Sequence, residues 1–177
     1  MSQKGFVPIL LVILAAAIIG IGGAAGAALL GQAPTCPSQG GAPRSEKELA
    51  NLLDKTGTVT TTDPEATAIA QNYVAGQVND ARACFTPGLA HASGNIQLGP
   101  LTPSFYASAG IDLSGSTPKA TNLNIKVGSL PNIPVLSSQV GSLVTNLINK
   151  NLAKVQLKKK YSIQFQSGSA TVGKLSQ

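Results

Sequence analysis

Tryptophan is absent from this sequence, and only three tyrosines and four phenylalanines stand among its 177 residues. Binding of unpaired nucleic acid leans on flat rings that stack with bases, so a nucleic-acid partner lacks its usual platform here. The single histidine, His91, excludes catalytic or metal arrangements that need two. The two cysteines, Cys36 and Cys84, are too few and too far apart for a zinc site. Acidic residues run out early: all seven lie at or before Asp112. Neither a Gly-x-Ser-x-Gly elbow nor a phosphate-binding loop occurs, and the glycine-rich pieces lack a strand-to-helix setting. Asp63, Asp80 and Asp112 are scattered, and turn or cap roles account for each. The chain therefore reads as non-enzymatic, with no cofactor.

What is abundant is apolarity at the N-terminus. Phe6 to Leu30 is a run of twenty-five uncharged residues with Pro8 as the one early breaker. As a helix it would reach about 37 Å, enough for a hydrocarbon core of roughly 30 Å. Residues 1–31 are thus expected to form a single-pass membrane anchor. Lys4 and the terminal amine favour a cytoplasmic N-terminus. A cleaved signal peptide competes, with Phe6 to Ile19 as its apolar region and Ala25-Gly26-Ala27 as the cleavage site. Either reading carries the remainder across the cytoplasmic membrane.

Residues 32–44 are punctuated by glycine and proline and read as a linker. Cys36 lies inside it. Ala33-Pro34-Thr35 is a poor lipidation signal, because no small residue immediately precedes the cysteine. A disulfide between Cys36 and Cys84 suits an oxidising compartment and would tie the tether to the domain.

Residues 45–177 form the exported domain. Ser45 with Glu48, and Thr62 with Glu65, are two capping boxes that open helices. Ala66, Ile69 and Tyr73 share a face of the second. From Ala81 the apolar period changes to two, through Arg82–Thr86, Leu89–Leu98, Ser104–Leu113 and Leu123–Val127, with turns at Pro87-Gly88, Gly99-Pro100 and Gly115. Short strands joined by turns describe an antiparallel meander. A long amphipathic helix is expected from about Val135 to Leu152, with Leu136, Val140, Leu143, Val144 and Leu147 on its apolar stripe. Tyr161, Ile163 and Phe165 alternate into a closing hairpin. The expected fold class is α+β: a transmembrane helix, then one curved antiparallel sheet of about six strands packed by the long helix and one or two shorter N-terminal ones.

Small side chains on the strands (Ala90, Ala92, Gly94, Ala107, Ala109) leave room between sheet and helix. An apolar groove lined by Ile69, Tyr73, Leu136, Val140, Leu143, Val144 and Leu147 would suit an acyl chain. Tight helix–sheet packing explains the same small residues without a ligand. Beyond Asp112 come eight lysines and no acid. They read either as a solvated face or as a cationic surface, with Lys154, Lys158, Lys159 and Lys160 at its centre, held near anionic headgroups.

Two resemblances attach to these patterns. The opening KGFVPILLVIL resembles the start of a type IV prepilin, but Leu10 stands where that family carries an acid. Pro34, Pro37, Gly40, Gly41 and Pro43 also interrupt the long helix a pilin needs. The segments PEATAIAQNYV, ARACFTPGLAHASGNIQLG, VGSLPNIP and YSIQFQSGSATVG resemble small bacterial membrane-anchored proteins related to the tubular lipid-binding domains. That resemblance implies a long helix across a curved sheet with a lipid-facing cleft, and no catalytic residues. The functional expectation is lipid or apolar-ligand binding at the outer face of the cytoplasmic membrane. The alternative is a structural or assembly protein of the cell surface, pilin-like or an envelope adaptor.

Overall fold

The computed structural model describes residues 27–29, 35–37, 40–97, 100, 102–128, 142, 157 and 159–175. Two helices open the domain. Helix α1 (Glu46–Thr56) starts at Ser45, whose hydroxyl accepts from the Glu48 N–H while the Glu48 carboxylate accepts from Ser45 N–H. It stops at Gly57, whose φ of 76° lets its N–H return to the Leu53 carbonyl at 3.0 Å. Leu49 and Leu53 are fully buried, whereas Leu52 faces outward. Helix α2 (Asp63–Val74) begins with Pro64 in its first turn, and Glu65 folds back to accept the Thr62 N–H at 2.9 Å.

The strands form two sheets rather than the single sheet expected from the sequence. The larger has the order β1-β6-β5-β4-β3: β1 (Ala27–Leu29), β3 (Val78–Thr86), β4 (Leu89–Ile96), β5 (Ser104–Asp112) and β6 (Lys119–Gly128). Strands β3 to β6 run up and down in chain order, and β1 is the parallel exception beside β6. The smaller sheet has the order β2-β8-β7: β2 (Thr58–Thr62), β7 (Tyr161–Gln166) and β8 (Ser169–Lys174), all antiparallel. The correction has a physical source. Thr58–Thr62, between the two helices, alternates exposed and buried and offers five β-branched residues to β8. The C-terminal hairpin therefore pairs with that early strand instead of extending the meander.

A second correction falls on the apolar run. Its end, Ala27–Leu29, was expected to be helical and is instead a strand in register with Lys126–Gly128. No helix among the described residues is long and apolar enough to cross a membrane, and the rest of the run lies outside them. The amphipathic stripe from Leu136 to Leu147 also lies outside the described residues.

The two sheets meet where two hairpin turns clasp each other. Gly88, φ 79°, donates to the Phe165 carbonyl at 3.3 Å, and Gly168, φ 76°, donates to the Phe85 carbonyl at 3.1 Å. The rings of Phe85 and Phe165 stack beside this joint, 5.7 Å apart. Cross-strand register puts Ala83, Ala92, Ala107 and Ile125 in one row of the large sheet, with Phe85, Ala90 and Ala109 in the next. These residues are buried and form the core face. Helix α2 contributes Ala66, Ile69, Ala70 and Val74 to the same core, and α1 contributes Leu49 and Leu53.

The core face explains one small residue directly. A Cβ on Gly94 would lie 2.5 Å from Val78 Cγ1 and 3.1 Å from the Asn79 carbonyl. Only glycine fits beneath that stretch of β3.

Candidate functional site

The site begins with a segment the sequence presents as a linker. The structure pins it at both ends. Cys36 is joined to Cys84 with their Cα atoms 5.6 Å apart, and Cys36 is fully buried. Its N–H donates to the Ser93 hydroxyl at 3.0 Å, and the Arg82 guanidinium reaches its carbonyl at 3.4 Å. At the other end Arg44 forms an ion pair with Glu65 through Nε and Nη2, and Nη2 also donates to the Thr60 carbonyl at 2.8 Å. Burial pushes the Glu65 carboxyl upward, but the hydrogen bonds from Arg44 and Thr62 outweigh it and hold the group below its ordinary value. The described residues of this segment, 36–37 and 40–44, are thus held as a strap.

Beneath the strap runs the edge of β3, and helix α2 lies alongside it. Along this edge three residues of α2, spaced by four, meet alternate residues of the strand. Asp63 Oδ1 accepts the Phe85 N–H at 2.9 Å. The Thr67 hydroxyl accepts the Ala83 N–H at 2.9 Å and donates to the Ala83 carbonyl at 3.0 Å. Gln71 Nε2 donates to the Ala81 carbonyl at 3.0 Å. The match is geometric: four helical residues advance about 6.0 Å and two strand residues about 6.7 Å. An edge strand that would otherwise offer bare backbone groups is satisfied by side chains.

Between strap, helix and strand lies a cleft of about 270 Å³. It is lined by Pro37, Gly41 and Pro43 from the strap, Asp63, Pro64, Thr67, Ala68 and Gln71 from α2, and Asp80 and Arg82 from β3. Asp80 stands at a bulge, where the pairing slips between Asn79 and Arg82 and its own φ is +51°. Asp63 is buried, and loss of water raises its carboxyl above the ordinary value despite the bond from Phe85.

The opposite face of β4 holds a second polar group. His91 is buried beside Cys84, its cross-strand partner. One ring nitrogen pairs with the Thr86 hydroxyl at 2.6 Å and the other with the Tyr106 hydroxyl at 2.8 Å, while the Tyr106 ring stacks on it. Burial lowers its affinity for a proton. With both nitrogens engaged and Cys84 in a disulfide, this pair is arranged for structure.

The residues singled out from the sequence fall in separate places. Cys36 and Cys84 are brought together. Ile69 is in the core, but Tyr73 leaves its expected face: it is 39% exposed and its hydroxyl donates to the Glu46 carboxylate at 3.1 Å. The two do not line a common groove. Lys159 and Lys160 are exposed, and Lys154 and Lys158, like Leu136, Val140, Leu143, Val144 and Leu147, lie outside the described residues. The cleft residues Asp63, Thr67, Gln71, Asp80 and Arg82 were not anticipated. The spacing Asp63-Thr67-Gln71, a polar stripe on a helix with a separate apolar face, was the available signal.

Compared with family models, curated proteins and solved structures, the chain matches none.

Proposed function

We propose that this chain is a non-catalytic ligand-binding domain held at the outer face of the cytoplasmic membrane by its apolar N-terminus. The observation that carries the proposal is the Cys36–Cys84 bridge, which fastens the segment following the apolar run to β3, the edge strand of the large sheet. Such bonds persist in oxidising compartments. The bridge also holds the strap that walls the cleft, so binding geometry depends on export. The non-catalytic part is supported by the engaged state of the groups that could do chemistry. His91 has both nitrogens bonded, and Cys84 is oxidised.

Protease added to intact spheroplasts should remove the domain, and alkylation without reductant should label neither cysteine. Protection until lysis, or labelling of both thiols, would overturn the proposal.

An apolar ligand is a second reading, favoured by the alanine rows on β3, β4 and β5. Five alanines, Ala83, Ala90, Ala92, Ala107 and Ala109, line a buried sheet face, and an acyl chain would reach them by displacing what packs there. Saturable binding of a fluorescent fatty acid by the full chain in detergent, blocked by Ala107→Phe, would support it. Absence of saturation, together with recovery of the native protein from surface filaments, would instead favour a structural role.

A further inference from the structure

We draw no further inference here: the strongest candidate, the uncharged outer face of the small sheet on which Thr60, Thr171 and Gln164 stand in one cross-strand row, is accounted for as the solvent side of an antiparallel sheet, and nothing in the structure shows what would cover it.

Discussion

Replacing Thr67 by valine removes one hydroxyl and keeps the side chain's shape. That hydroxyl serves both backbone groups of Ala83, at 2.9 and 3.0 Å. Ala83 is fully buried, so neither water nor another strand is at hand to replace it. Two ordinary hydrogen bonds would account for about 2 kcal/mol, and the penalty for leaving a buried N–H and C=O unsatisfied carries the cost to about 2–4 kcal/mol. For a domain of this size the midpoint of thermal unfolding should fall by roughly 8–15 °C. Thr67→Ser is the control: it retains the hydroxyl, loses one methyl and should cost about 1 kcal/mol or less. Urea denaturation of both variants, with unchanged slopes, measures the difference. If valine and serine prove equally stable, the side-chain edging of β3 contributes nothing and the reasoning fails.

Breaking the Cys36–Cys84 bridge by Cys84→Ser should cost about 4 kcal/mol through the freedom regained by the unfolded chain, a model-dependent value that denaturation with and without reductant checks. Arg44→Ala leaves the buried Glu65 carboxylate with Thr62 as its remaining partner and should destabilise by about 2 kcal/mol, less than for a fully buried pair because Arg44 is partly exposed. Because Glu65 is held below its ordinary value, its contribution is present above the unfolded carboxylate range and is lost as pH falls, so Glu65→Gln should flatten the acid limb of a stability profile. His91 acts in the same direction: its folded-state proton affinity is lowered, so stability falls as pH drops below the ordinary value of 6.5. His91→Gln should remove that slope, and a profile unchanged between pH 7 and 5 would show that His91 is not held neutral.

The local devices of this domain were legible in its sequence. Ser45 with Glu48 and Thr62 with Glu65 mark two helix starts that the structure contains. Pro87-Gly88 marks a turn whose glycine adopts positive φ, and the closing hairpin turns on Gly168 in the same way. Long-range pairing was not legible. Thr58–Thr62 reads as a polar connection because its apolar content is a single valine, and nothing local says that its partner is β8, more than a hundred residues on. The cleft was hidden for a related reason. Asp63 and Asp80 look like ordinary cap and turn residues, and each performs such a task. What brings them to one cavity is the disulfide strap and the slip in β3, both products of tertiary contact. Tyr73 misled because helical spacing fixes an angle and not the depth of packing at a helix end.

The disulfide also decides how the domain would respond to mechanical tension. A pull on the chain ahead of Cys36 first strips the three-residue pairing of β1 and then arrives at the bridge. From there force passes directly into Cys84 and onward through β3 toward the C-terminus. Helix α1, β2 and α2 lie inside the closed loop between residues 36 and 84, off the load path. A domain pulled from its N-terminal side would therefore strain its sheet while the covalent loop that frames the cleft stays slack.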